Sequence, residues 1–192
     1  VMHNIYDCVD SFASLLDTEY QLILGRKGEA VSLKITFDKK DCFHLMGLQY
    51  LTDRPELSRD RGKIFDEIKS RVLTKEQIES SDLYEQIADR VDLLPFLEDL
   101  FDSNDTVFKY NEKKNSFSMI KADYLMKNRL VDKNVFIFLS KGKDDTYFCR
   151  SFFPEVNRDY TKNQASWTLL YKEKMKRSTG QKVVLYDRLK RV

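Results

Sequence analysis

Apolar residues recur every three or four positions near the start of the chain, at Ile5, Cys8, Val9, Phe12, Leu15 and Leu16. That spacing places them on one face of a helix over residues 4–17. Tyr20 to Leu24 reads as a strand, and Arg26-Lys27-Gly28-Glu29 as a turn. Val31, Leu33, Ile35 and Phe37 then alternate with Ser32, Lys34 and Thr36, so the two runs predict a β-hairpin. Asp38 is a cap for a short apolar helix over Cys42 to Leu51, ended by Pro55 because the residue before a proline avoids helical angles. Ser58 is expected to cap the next helix, with Ile64, Phe65, Ile68 and Val72 facing inward. Thr74 with Gln77, and Asp82 with Glu85, have capping-box spacing. Leu83, Ile87, Val91, Leu94, Leu97 and Leu100 sustain a helical period that Pro95 kinks or restarts.

After Asn104 the period changes. Val107–Tyr110 and Phe117–Lys121 read as strands around a turn at Asn111–Asn115. The continuous run Val135–Leu139 suits a strand buried on both faces. Tyr147 to Phe153, Ser166 to Tyr171 and Val183 to Tyr186 complete the set, with Lys141–Asp145 as a turn and Pro154 as a stop. The expected fold class is α+β: N-terminal helices with one β-hairpin, followed by an antiparallel β-sheet. We place both in a single domain, 1–192, with a helical half at 1–104 and a sheet half at 105–192.

Composition narrows the class. The chain has 192 residues, of which 42% are hydrophobic and 33% charged, enough for one core with a well-solvated surface. No run approaches 18 apolar residues, so no membrane span is expected. The first residues lack a basic segment followed by an apolar one, so no signal peptide is expected either. Cys8, Cys42 and Cys149 are odd in number and far apart, which argues against a disulfide framework or a zinc site and for a reducing cytoplasm. Asn104-Asp105-Thr106 matches a glycosylation acceptor, with no secretion signal to give it meaning.

Net charge is only +2, but it is unevenly spread. Residues 75–105 hold ten acidic residues against Lys75 and Arg90, while residues 141–192 hold thirteen basic against six acidic. A basic C-terminal third suits a polyanion such as RNA. It also suits neutralising the acidic helices within the fold.

Several chemistries lack their motifs: GxxxxGK[ST], GxGxxG, GxSxG and HExxH are all absent. With two histidines and no close acidic constellation, no metal and no cofactor are expected. His44, on the apolar helix, is the natural proton-transfer candidate, since imidazole titrates near neutrality; the same placement suits a hydrogen-bonded core residue. In the sheet half, Arg150 and Ser151 lie beside Phe152-Phe153, and Arg158, Tyr160, Lys162, Asn163, Trp167 and Thr168 follow. Cations neutralise phosphate, hydroxyls and amides position it, and aromatic rings stack on unpaired bases. Trp167 and Phe152 equally suit the core.

The order of three segments carries a resemblance. His44-Leu45-Met46-Gly47-Leu48 is followed by Gly62-Lys63-Ile64-Phe65-Asp66-Glu67-Ile68, and then by Ser151-Phe152-Phe153-Pro154 and Asn163-Gln164-Ala165-Ser166-Trp167. Over roughly residues 30–172 the chain resembles the phage-associated branch of the barnase/EndoU/colicin/RelE-like (BECR) nucleases, found in phages, mobile elements and bacterial toxin systems. The resemblance implies a metal-independent endoribonuclease in which the ribose 2′-oxygen attacks the adjacent phosphorus. His44 matches the family's histidine as base or acid, and Ser151 lies in a matched segment and would position the phosphate. On chemical grounds Arg150 would stabilise the phosphate, and Tyr160 or Lys121 would supply the second proton transfer. Arg158, Lys162, Asn163, Trp167 and Thr168 would bind RNA. Implied partners are RNA and a cognate antitoxin or immunity protein, with no membrane. Two other readings stay open: a non-catalytic RNA- or protein-binding module of a mobile element, and an inhibitor whose acidic helices mimic nucleic acid.

Overall fold

Helix α1 (Ile5–Leu15) starts where its polar neighbours can start it: the Asn4 side chain accepts from the backbone N–H groups of Tyr6 and Asp7, and Asp7 reaches back to the Asn4 N–H. A computed structural model describes residues 2–103 and 106–189. Asn104 and Asp105, with the glycosylation pattern and the boundary placed between the two halves, lie outside the described residues.

The hairpin forms as expected from β1 (Thr18–Arg26) and β2 (Glu29–Ile35). Helix α2 (Lys39–Met46) is capped by Asp38, and Asp41 completes its capping box. Helix α3 (Arg61–Lys69) is capped by Asp60 rather than Ser58, and Val72 is 72% exposed, beyond the helix end. Thr74 and Gln77 form their box at α4 (Lys75–Glu79). Asp82 and Glu85 form none; a 3-10 turn, Tyr84–Gln86, precedes α5 (Ala88–Leu93) instead. Pro95 sits in the first turn of a 3-10 segment, Leu94–Phe96, that leads into α6 (Leu97–Asp102). The remaining strands are β3 (Thr106–Lys109), β4 (Tyr124–Leu130), β5 (Lys133–Lys141), β6 (Tyr147–Pro154), β7 (Ala165–Lys176) and β8 (Lys182–Asp187). Residues Phe117–Lys121 are irregular, and the strand expected there is found a few residues later, as β4.

The expected α+β layout, a helical half with a hairpin followed by its own sheet, is overturned. The strands run β1-β2-β6-β5-β4-β3-β7-β8, and β1 also pairs with β7, so seven of them close into a barrel with β8 as an eighth. The reason lies in β7. Its start, Ala165–Trp167, pairs with β3, its stretch from Thr168 to Lys176 pairs with β1, and Tyr171 to Met175 pairs with β8. Twelve residues are enough to hold the hairpin and the meander together.

The ring has one thin seam. Strands β2 and β6 are parallel and share a single register pair, Ile35 with Tyr147, plus a bond from the Thr36 N–H to the Tyr147 carbonyl of 3.1 Å. The chain leaves β2 at this seam and enters α2, which packs against β6, as does α5. One continuous core joins residues from all seven barrel strands, among them Tyr20, Leu33, Val107, Met126, Ile137, Phe152 and Leu169, to the apolar faces of the helices. A second cluster, Tyr110, Leu125, Phe136 and Phe138, is covered by Phe153 and Tyr160. Strand β5 contributes alternate residues to both clusters, which explains its uninterrupted apolar run. Among the described residues no helix is long and apolar enough to cross a membrane.

Candidate anion-binding site at the barrel seam

His44 lies in the last turn of α2. The helix stops at Gly47, whose φ of 83° is a left-handed cap that favours glycine. A Cβ there would lie 2.9 Å from Ile87 Cγ2, so glycine also permits the close approach of the segment before α5. Arg150 reaches the same place from β6. The β5–β6 register passes from Phe138 with Ser151 to Leu139 with Cys149, leaving Arg150 as the extra residue of a β-bulge. Bulges re-aim side chains at the edges of regular pairing. The Arg150 Nε donates to Ser140 Oγ at 2.7 Å, and Ser140 Oγ donates to the Lys121 carbonyl at 3.1 Å. His44 and Arg150 thus line one cavity of about 150 Å³, with Lys40, Asp41, Arg61 and Cys149.

The charge around the imidazole is unusual. Burial pushes the His44 pKa below 6.5, and Arg61, Arg150 and Arg90 push it the same way; the backbone of Arg150 acts in the opposite sense. Its Nδ1 is buried without a hydrogen-bond partner. Each of the three arginines leans on an aromatic ring. Arg61 lies 5.2 Å from the Phe43 ring centre, Arg150 5.2 Å from Phe148, and Arg90 5.0 Å from Tyr50 and 5.8 Å from Phe153. Among the described residues none of the three is within ion-pair distance of a carboxylate. Packed on apolar rings and without an ion-paired carboxylate among the described residues, they have the charge and donors that suit an anion.

Asp41 is the one carboxyl in the cavity. Burial pushes its pKa up to about 6, against the lowering effect of the Asp38 N–H that it accepts. Burial also raises the Cys149 thiol well above its ordinary range, so the sulfur lining the cavity is an inert wall.

The other expected residues spread out. Ser151 pairs with Phe138 on β6, next to the bulge, and does not line the cavity. Lys121 is exposed, and it is its carbonyl that joins the Arg150–Ser140 chain. Tyr160 sits in the outer aromatic cluster, 5.2 Å from Phe153, with its pKa raised by burial. Arg158 lies 4.8 Å from the Phe117 ring and, with Tyr160 and Phe153, lines a separate open pocket. Lys162, Asn163 and Thr168 are exposed, Asn163 with a φ of 63°. Trp167 is 8% exposed in the core beside Val107, so base stacking is not open to it.

Sequence reasoning missed Arg61, Arg90, Asp41 and Ser140. Two signals were visible. Asp41 and His44 are three apart on a helix and share a face. Arg90 is an isolated base in a strongly acidic run.

The seam of the barrel thus brings a histidine together with arginines that, among the described residues, lack a carboxylate partner, a charge arrangement that suits phosphate or another oxyanion. A family model described as phage-Barnase-EndoU-ColicinE5/D-RelE like nuclease4 matches residues 4–189, and the chain belongs to that family. No curated protein and no solved structure matches the chain.

Proposed function

We propose that the chain is an endoribonuclease that cleaves RNA by attack of a ribose 2′-oxygen on the adjacent phosphorus. The observation that carries this reading is His44 in one cavity with Arg61 and Arg150, with Arg90 near enough to act on its charge and, among the described residues, no carboxylate paired to any of the three arginines. A phosphodiester seated among them gains charge-assisted hydrogen bonds, and the added negative charge of the transition state gains more.

His44, held neutral above its lowered pKa, is suited to take the 2′-hydroxyl proton. The new bond forms from the 2′-oxygen to phosphorus and the bond to the 5′-oxygen breaks. Asp41, in the same cavity with its pKa near 6, is suited to give a proton to the leaving oxygen. Bound phosphate favours the protonated forms of both groups, since negative charge offsets the arginines beside His44 and repels ionised Asp41. The products are a 2′,3′-cyclic phosphate and a free 5′-hydroxyl. The guanidiniums supply the positive charge the reaction needs, so we propose a metal-free reaction.

The inhibitor reading loses part of its acidic surface. Glu98 and Asp102 of α6 pair with Lys174 at 2.6 and 3.0 Å, inside the fold.

The test is incubation with total bacterial RNA in EDTA, with fragment ends analysed for cyclic phosphate. We expect cut RNA from the wild type and intact RNA from His44→Ala. Intact RNA from a folded wild type overturns the proposal.

A further inference from the structure

Arg61 belongs to two cavities. One is the small cavity of His44 and Arg150. The other is a pocket of about 360 Å³ with an apolar floor that includes Phe43, Leu51 and Leu57. Three arginines stand at its rim. Arg54 is held within the fold by the Ser80 carbonyl and hydroxyl and by the Gln77 carbonyl, and Arg59 by the Glu67 carboxylate. Arg61 is exposed, rests on Phe43, and has no such partner among the described residues.

Gln49 completes the wall. Its Nε2 donates to the carbonyl of His44 at 3.3 Å, which fixes the orientation of the amide. Its Oε1 is buried and has no hydrogen-bond partner. A buried acceptor without a donor is a standing cost that a ligand donor would remove.

We propose that this pocket is a nucleobase subsite, taking the base of the nucleotide whose 3′-phosphate lies between Arg61, Arg150 and His44. A base supplies what the pocket lacks: a flat ring to cover the apolar floor, a ring or exocyclic N–H for Gln49, and an acceptor edge or phosphate for Arg61. The inference rests on the phosphate-cleaving reading of the adjacent cavity and assigns that site a substrate with an unpaired, splayed base. Paired bases in a helix are stacked and cannot enter.

The test compares ligands on the whole chain by calorimetry: inorganic phosphate, ribose 3-phosphate and the four 3′-nucleoside monophosphates. At least one nucleotide is expected to bind about tenfold or more tightly than ribose 3-phosphate. Thr52→Trp, at an exposed rim position, fills the pocket. It is expected to bring that nucleotide down to the affinity of ribose 3-phosphate while leaving inorganic phosphate unchanged. Gln49→Leu is expected to weaken the nucleotide alone. Equal affinity for nucleotides and ribose 3-phosphate in the wild type overturns the subsite and leaves the phosphate site standing. No binding of inorganic phosphate overturns the phosphate site and the subsite together.

Discussion

His44 is kept neutral by what surrounds it, and that decides how pH should act on it. Its pKa lies below 6.5, first through burial and then through Arg61, Arg150 and Arg90. A base works only when unprotonated, so kcat/KM should fall as pH drops through that lowered value, with the midpoint of the acid limb below 6.5. Replacing Arg150 by Met removes one of the three cations. The His44 pKa should then rise, moving the acid limb to higher pH, and the rate at the optimum should fall about a hundredfold, as for loss of one transition-state donor. A pH–rate profile of both proteins measures the two effects; an unmoved limb would show that Arg150 does not act on His44. At this scale His44 and Arg150 were legible in the sequence, because each stood in a short segment of recognisable chemistry. Arg61 and Arg90 were not, since their role comes from folding distant segments onto one imidazole.

Helix α2 carries a conflict between its start and its end. Asp41 is needed at the start, where its carboxylate accepts the Asp38 N–H, yet it is buried in the cavity. Its folded pKa, about 6, lies above its ordinary 3.8, so the folded chain holds the proton more tightly than the unfolded one. That contribution is fully present below pH 3.8 and is lost as pH rises through 6. Asn at position 41 keeps an acceptor for Asp38 and never ionises. Asp41→Asn should therefore be more stable than wild type at pH 8, by at most about 3 kcal/mol, with the gain vanishing near pH 4. Melting curves at the two pH values check this. If Asp41 gives the proton to the leaving oxygen, the same variant loses activity as it gains stability, a trade expected at functional sites. The cap of α2 and the hairpin before it were legible because their signals are local. Strand β4 was not: Tyr124, Leu125 and Met126 are buried in succession and Lys127 to Arg129 are polar, so no alternation marks it. The alternating Phe117 and Met119 misled, since they are 37% and 96% exposed in an irregular segment.

The whole molecule is a closed ring wrapped against a helical block, and closure is not a property of any one strand pattern. It depends on which edges meet, and β7 decides that by pairing with β1, β3 and β8. The same strand ties the helices to the barrel. Lys172 is fully buried, and its Nζ donates to the carbonyls of Phe101, at 2.8 Å, and Ser103, at the C-terminal end of α6. A cation there suits the negative end of the helix and satisfies carbonyls that the helix leaves open. Two positions on, Lys174 pairs with Glu98 and Asp102 of α6, and Asp102 also accepts from the Tyr20 hydroxyl at 2.6 Å. Part of the basic C-terminal charge is thus neutralised by the acidic helices within the fold. Lys172→Met keeps the length and apolar stem but leaves the two carbonyls without this donor. The cost should be roughly 1–3 kcal/mol. For a chain of this size that lowers Tm by about 2–12 °C. Inorganic phosphate should still bind the folded variant as in wild type, because the arginines sit on α3, α5 and β6, and α5 packs with α2 against β6 at the β2–β6 seam, across the ring from β7. A drop in Tm with phosphate affinity unchanged is the expected result. Loss of phosphate binding by a folded Lys172→Met would show instead that the α6 contact sets the shape of the seam.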